Sequence, residues 1–141
     1  MRNWYVAYNP KTFDIVTAMS ERKSIFLPHP KVRGNDYNIQ PGDRMYVYVS
    51  VGFAQIRYLL EVAELDAERK FYGIMFKYAN ETWRKDGRWL KCVPLAIARP
   101  AYKPLQCGAI MPEYFNTLAL PQEIKGETLA YIEHHFDLAK I

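Results

Sequence analysis

A turn followed by two apolar runs, between residues 39 and 62, constrains the fold of this chain more than any other feature. The turn contains Pro41, which pre-sets φ, and Gly42, which can take the positive φ of a type II turn. Residues 45–49 are rich in β-branched and aromatic side chains, and a second apolar run follows over 56–62 after a short break. The sequence therefore predicts a β-hairpin at the centre of the fold.

Local patterns predict further elements on both sides of this hairpin. Residues 63–69 fit either a short helix or the polar end of the second hairpin strand. Pro94 falls within a predicted strand over 89–98 and places that strand at a sheet edge or a bulge. The others are a strand over 3–8, a helix from an N-cap at Thr12 to residues 22–23, an extended piece over 24–27, strands over 71–78 and 89–98, a helical turn within 113–120 and a helix over 127–138. This order predicts an α+β domain whose mostly antiparallel strands close into a small barrel with helices at its ends.

Length and composition predict one domain over residues 1–141. Half of the residues are hydrophobic, which supplies a core and excludes a disordered chain. The 11 tyrosines and 3 tryptophans fit a binding surface as well as a core. The net charge of +4 is compatible with a polyanionic partner without requiring one. The densest basic stretch comprises Arg84, Lys85, Arg88 and Lys91. It fits either a contact site for a polyanion or a solvated loop.

The sequence carries no motif for metal binding, membrane insertion or catalysis. Cys92 and Cys107 lack the CxxC spacing of a zinc site. The absence of an apolar run of about 18 residues and of a secretory signal predicts a cytoplasmic protein with no membrane partner. Glu123 and Lys125 match the E-x-K fragment of some nucleases, but no strand pattern surrounds them. We therefore expect no cofactor and no enzymatic activity.

An ordered set of short motifs resembles a known family. The motifs are Trp4-Tyr5-Val6 ending in Asn9-Pro10, Phe13-Asp14-Ile15-Val16, Gly42-Asp43 followed by Tyr46-Val47-Tyr48-Val49, Ile56-Arg57-Tyr58 with Glu61-Val62, and Leu129-Ala130-Tyr131-Ile132. Together they resemble the EVE domain, and more closely the EVE-like domains that occur alone or fused to nucleases in bacterial restriction systems. The resemblance implies a PUA-like β-pseudobarrel of about five to six mostly antiparallel strands, with short flanking helices and a C-terminal helix, related to ASCH and YTH domains.

In such folds a cleft between the barrel and the first helix receives one nucleobase, often a modified one. The resemblance implies that three segments of this chain bind the base. It also implies that Arg57 contacts a flanking phosphate. The implied base-binding residues are Tyr8, Asn9 and Pro10, then Ser24 and Phe26, then Tyr48, Val49 and Ser50. Core packing is the alternative role of Phe26 and Tyr48, and capping a turn is that of Asn9. The nuclease-fused relatives often place a tryptophan after the first helix, where this chain has Phe26.

The resemblance implies a nucleic-acid-binding module that recognises a single flipped, modified base in DNA. Such a module serves a restriction or defence system, with an effector nuclease encoded separately, or acts alone as a reader. Two alternatives stay open at this point. One is an RNA-binding reader of the PUA type, and the other is a non-catalytic domain that binds a protein or a small ligand.

Overall fold

The computed structural model describes residues 1–21, 23–32, 35, 36, 38–80 and 88–141, and for residues 31, 32, 35 and 36 it describes the backbone alone. The described strands are β1 Asn3–Tyr8, β2 Ile25–Pro28, β3 Lys31–Val32, β4 Asn35–Asp36, β5 Arg44–Val49, β6 Gln55–Glu64, β7 Trp89–Ile97 and β8 Gln122–Ile124. The α-helical segments are α1 Ile15–Glu21, α2 Arg69–Tyr72, α3 Cys107–Ile110 and α4 Gly126–Ala139, and 3₁₀ turns cover Gly73–Tyr78 and Lys103–Leu105.

One six-stranded sheet in the order β2-β7-β6-β5-β1-β8 organises the domain, and β3 and β4 pair separately. Strand β1 runs parallel to β5, and the other neighbouring strands of this sheet are antiparallel. The sheet curls into a half-barrel, with short helical segments and α4 packed around it. The predicted α+β pseudobarrel of five to six mostly antiparallel strands is therefore confirmed.

The predicted turn and hairpin are present. Gly42 has a φ of 90°, and the Asp43 N–H donates to the Gln40 carbonyl at 3.0 Å, as in a type II turn. Strands β5 and β6 then pair antiparallel, with Arg44 opposite Glu61. The Gly42 N–H donates to the Val62 carbonyl and the Val62 N–H to the Asp43 carbonyl, both at 2.8 Å, so the turn is bonded to the open end of the hairpin. Residues 50–54 join its two strands, which carry apolar side chains on both faces.

Replacing Gly42 with alanine tests this turn. A Cβ at position 42 meets no atom within 4 Å, so the whole effect comes from the positive φ. We expect the free energy of unfolding to fall by about 1–2 kcal/mol, measured by urea denaturation. The matched control is Gly108→Ala, because Gly108 lies in α3 without a positive φ and also has open space around it. Equal unfolding midpoints for the two variants would contradict the assignment.

The sheet is covered on both faces by hydrophobic clusters. The first cluster joins Trp4, Val6 and Tyr8 of β1 with buried residues of α1 and with Trp89. The second cluster joins Tyr5 of β1 with residues of the 105–115 segment and of α4. Alternate β1 side chains enter opposite clusters, as strand geometry requires. The core therefore has two layers, and both faces of β1 and β5 are covered.

A β-bulge interrupts the hairpin near the loop 50–54 that joins its two strands. Val47 pairs with Tyr58 and Tyr48 pairs with Ile56, so Arg57 is the extra residue. Beyond the bulge the faces exchange, because Ile56 packs in the second cluster whereas Tyr58 packs in the first. A bulge changes the direction of side chains in this way, and here Arg57 does not follow the two-residue alternation of the strand.

Several predicted elements are confirmed. Strands β1, β2 and β7 and helix α4 lie where the sequence predicts them, and residues 63 and 64 extend the second hairpin strand. Pro94 is at a register shift, since Leu59 pairs with Ala96 and Leu60 with Pro94. It also lies past the part of β7 that β2 covers. Proline is tolerated there because its missing N–H removes no regular ladder bond.

Other predicted elements are wrong. Residues 71–78 form a helical turn and a 3₁₀ turn, not a strand, because Tyr72 and Phe76 are spaced at i, i+4 and both rings pack on Trp89. The N-cap of α1 is Asp14, whose carboxylate accepts the Thr17 N–H at 3.2 Å, whereas Thr12 lies outside the helix. The helical turn expected within 113–120 occurs earlier, at α3.

The region around Glu123 also differs from the prediction. A short strand, β8, covers it and pairs Glu123 with Trp4 of β1. Hydrogen bonding to the edge of β1 imposes this strand, because three residues carry too little local pattern to indicate one. Arg22, Arg84 and Lys85 lie outside the described residues, and the described Arg88 pairs with Asp66 at 3.1 Å.

Candidate functional site

The candidate site lies where β1 and β5 end side by side. Tyr8 and Val49 are the last paired residues of these parallel strands, and the Ser50 N–H donates to the Tyr8 carbonyl at 3.3 Å. Both strands therefore finish at the same end of the sheet. A cleft of about 420 Å³ opens there, lined by Ala7, Asn9, Tyr48, Ser50, Leu118 and Ala119.

Three elements distant in sequence build the walls of this cleft. Ala7 and Tyr48 are direct partners in the β1–β5 register and form its floor on the face of the second cluster. The Tyr5 hydroxyl donates to the Leu118 carbonyl at 2.8 Å, which holds the 118–119 segment against the sheet. The cleft exists because Ala7 fills little of the space that a larger side chain would occupy.

A smaller cavity of about 180 Å³ adjoins the cleft and shares Ala7, Asn9 and Ala119 with it. Its other walls are Tyr8, Thr12, Pro28, His29, Pro30 and Pro121. The Tyr8 hydroxyl donates to the Pro28 carbonyl at 2.7 Å, and His29 Nδ1 lies 2.8 Å from the Pro30 carbonyl oxygen. These bonds fix the walls, so the two cavities form one groove with Asn9 between its halves.

Asn9 has two roles in this groove. Its Oδ1 accepts the Lys11 N–H at 2.9 Å, which closes the local turn. Its amide nitrogen has no hydrogen-bond partner among the described residues, so two donors are available to a ligand in the groove that Asn9 lines. The turn-forming role and a ligand-binding role are therefore compatible in one side chain. Ser50, which is exposed, adds a hydroxyl at the mouth.

Tyr48 contributes mainly by packing. Only 4% of the residue is exposed, and its ring centroid lies 6.0 Å from that of Tyr5. Burial, and secondarily the neighbouring Cys107 thiol, raises the pKa of the Tyr48 hydroxyl well above its usual range. Tyr48 is thus a neutral, rigid floor residue at physiological pH, and presents only a small part of its ring to the cleft.

Of the remaining residues implied by the resemblance, only Tyr8 lines the groove, in its smaller half. Val49 is fully buried in the first cluster, because it alternates with Tyr48 along β5. Tyr8 is buried and reaches only the smaller cavity, while Pro10 follows Asn9 without lining either half. Phe26 packs half-buried on the first cluster and Ser24 is exposed, and neither lines the groove.

Arg57 is held by its own surroundings. Its guanidinium donates to the Ala98 carbonyl and lies 4.9 Å from the centre of the Phe53 ring. Arg57 Nε is buried without a partner among the described residues. These contacts hold the guanidinium beside the bulge, and its contact with a flanking phosphate stays a prediction.

The groove-lining residues that neither the local sequence patterns nor the resemblance predicts are Ala7, Thr12, Pro28, His29, Pro30, Leu118, Ala119 and Pro121. Ala7 becomes a floor residue only through its pairing with Tyr48, about forty positions away, which local patterns do not report. Residues 118 and 119 lie in irregular structure without periodicity. The nearest signal is the tail segment of leucines before Pro121.

The described residues that line the groove include one imidazole, that of His29. No Lys, Arg, Asp or Glu occurs among the described residues that line either half. The described part of the chain contains no group of three or more His, Cys, Asp or Glu side chains that would hold a metal ion. Burial raises the pKa of the Cys92 thiol far above its usual range, so this cysteine is inert. Within the described residues, no helix has the length and hydrophobicity needed to span a bilayer.

Comparison with solved structures identifies the fold. An ASCH protein from Zymomonas mobilis superimposes with a TM-score of 0.63 at 9% identity, over 94% of each chain. A protein from Rhodopseudomonas palustris gives 0.60 at 13% identity, over 98% of this chain and 94% of that one. A protein from Agrobacterium tumefaciens gives 0.56 at 12% identity, over 96% and 93%. The fold is therefore the PUA-like pseudobarrel of ASCH domains.

Comparison at the sequence level adds no closer relationship. No protein-family model matches the chain. No curated protein matches it either. The likeness to ASCH structures supports the PUA-like part of the resemblance found in the sequence, and the narrower EVE-like part stays a prediction.

Proposed function

We propose that this chain is a nucleic-acid-binding module that receives one extruded base in the cleft beside Asn9. The observation that carries the proposal is an open, mostly apolar cleft with unused polar groups at one edge. Extruding a base costs a few kcal/mol, so the pocket has to offer flat apolar contact and hydrogen bonds together. Ala7, Leu118 and Ala119 offer the apolar contact. Asn9 and Ser50 offer the hydrogen bonds.

The absence of charge among the described lining residues agrees with a neutral base rather than a phosphate in the cleft. Two donors on the Asn9 amide suit a carbonyl or a ring nitrogen on a base edge. Backbone phosphates would then lie outside the cleft, and the exposed Lys11 is two residues from Asn9 in sequence. The net charge of +4 favours such an encounter.

The resemblance to EVE-like domains supports a narrower version of the proposal. In that version the base is modified, the nucleic acid is DNA, and the module serves a restriction or defence system with a separately encoded nuclease. The second candidate is RNA, which the polar lining of the smaller cavity favours. In both versions the chain binds without catalysing a reaction and without a cofactor.

A binding screen tests the proposal. The probes are short labelled DNA and RNA strands with unmodified, methylated or hydroxymethylated bases, followed by fluorescence anisotropy over a range of salt concentrations. We expect binding that weakens with salt and depends on the base at one position. Absence of salt-sensitive binding to every probe would remove the proposal and favour a protein or small-ligand partner.

Asn9→Asp sharpens this screen. The substitution keeps the oxygen that accepts the Lys11 N–H but removes both amide donors and adds a negative charge. We expect Kd for the best probe to rise about tenfold or more, the effect of one lost hydrogen bond to the base. Asn116→Asp is the control, because Asn116 is exposed and lines neither half of the groove. Equal weakening by both variants would point to general charge repulsion instead.

A further inference from the structure

The smaller half of the groove differs chemically from the cleft. Where the cleft is walled mainly by Ala7, Leu118 and Ala119, the smaller cavity is walled on its far side by Thr12, His29 and prolines. The Thr12 hydroxyl donates to the Asn9 carbonyl at 3.0 Å, so its oxygen lone pairs remain to accept a hydrogen bond. The Asn9 amide adds donors from the shared wall.

This arrangement selects a particular kind of ligand group. No carboxylate, lysine or arginine occurs among the described residues that line the smaller cavity, so its lining suits neither a metal ion nor a phosphate. Acceptors and donors that converge without charge suit a hydroxyl group, which both donates and accepts. A base that fills the cleft is bonded directly to a sugar, and the adjoining cavity is close enough to receive that sugar.

We infer that the smaller cavity is a sugar subsite that reads the 2′-hydroxyl of the nucleotide whose base fills the cleft. The inference rests on the proposed function and extends it from the base to the sugar. The 2′-hydroxyl donates to Thr12 Oγ1 and accepts from the Asn9 amide. A 2′-hydroxyl is the group that lets a protein distinguish RNA from DNA at one position. The site therefore binds a ribonucleotide more tightly than the deoxyribonucleotide with the same base.

The test uses short DNA strands that differ at one central nucleotide, which carries either ribose or 2′-deoxyribose, for each of the four bases. We expect the ribo strand of the preferred base to bind at least about tenfold more tightly, the combined factor for the two hydrogen bonds of the 2′-hydroxyl. Moving the ribonucleotide to a flanking position should cancel the gain. A central 2′-O-methyl nucleotide should bind more weakly than the ribonucleotide, because it cannot donate and is bulkier.

Two variants of Thr12 separate recognition from folding. Thr12→Val removes the hydroxyl at similar volume and should reduce the preference for the ribo strand to the part that the Asn9 hydrogen bond supplies. Thr12→Ser keeps the hydroxyl and should keep the preference, provided that thermal unfolding shows both variants folded. If Thr12→Val does not fold, the 2′-O-methyl series on the unchanged protein decides.

The outcomes distinguish the inference from the proposed function. Equal affinity for ribo and deoxy strands, with base-dependent binding intact, overturns the sugar subsite alone. A preference that stays undiminished in Thr12→Val also overturns it. Absence of binding to every strand overturns the sugar subsite together with the proposed function.

Discussion

Ala119→Trp is expected to abolish nucleic-acid binding while the domain stays folded. Ala119 lines both halves of the groove, and it lies in an exposed, irregular segment that tolerates a larger side chain. An indole at this position occupies the space that the base requires. The loss comprises a base contact of about 1–3 kcal/mol and hydrogen bonds of about 0.5–1.5 kcal/mol each. Together these correspond to a rise in Kd of about a hundredfold or more.

Leu120→Trp provides a closely matched control. Leu120 is the next residue and 41% of it is exposed, but it lines neither half of the groove. The two variants add the same ring one position apart, so non-specific effects on solubility or charge cancel. Anisotropy titration with the best probe should give unchanged affinity for Leu120→Trp. Unchanged affinity for Ala119→Trp would move the binding site away from this groove.

The floor of the groove shows how far local sequence patterns reach. The turn at Gly42 and the strand after it follow from local rules, because a positive φ and β-branched residues act within a few positions. Side-chain alternation along that strand also places Tyr48 and Val49 on opposite faces. The resemblance named both as base-binding residues, but only Tyr48 reaches the cleft, while Val49 is buried in the first cluster.

The parts that were not predictable depend on contacts between distant residues. The parallel pairing of β1 with β5 brings Ala7 beside Tyr48, and no local pattern encodes a parallel partner. The bulge that contains Arg57 breaks the two-residue period, so the side chain does not point where alternation would send it. Residues 71–78 alternate like a strand, but Tyr72 and Phe76 pack on Trp89, and local patterns do not report that contact.

Asp43 connects the central turn to the first strand. Only 4% of this residue is exposed, and its carboxylate accepts three N–H groups. The donors are the Arg2 backbone at 2.9 Å, the Gln40 backbone at 2.9 Å and Trp4 Nε1 at 3.0 Å. These bonds fix the start of β1 against β5, and the register of that pair places Ala7 opposite Tyr48.

Asp43→Ala is therefore expected to lower the free energy of unfolding by about 3–5 kcal/mol, because three donors in buried or half-buried positions lose their acceptor. Urea denaturation of wild type and variant measures the change. Asp137→Ala is the control, since the Asp137 side chain is largely exposed and its ion pair with Lys140 contributes about 0–1 kcal/mol. Similar losses for both variants would show that Asp43 does not organise the turn.

The pH dependence of stability gives an independent measure of the same carboxylate. Burial acts to raise the pKa of Asp43, but the hydrogen bonds from Arg2, Gln40 and Trp4 outweigh it and hold the pKa below its usual value. A lowered pKa in the folded state stabilises the protein above the ordinary aspartate pKa of about 3.9, and this stabilisation disappears as pH falls through the folded-state value. The difference in unfolding free energy between wild type and Asp43→Asn should therefore be constant above about pH 5 and shrink below about pH 4. Asp66, whose pKa its hydrogen bond to Arg88 also lowers, is present in both proteins, so its contribution cancels. A difference that stays constant down to the acid transition would show that the Asp43 charge contributes nothing beyond its shape.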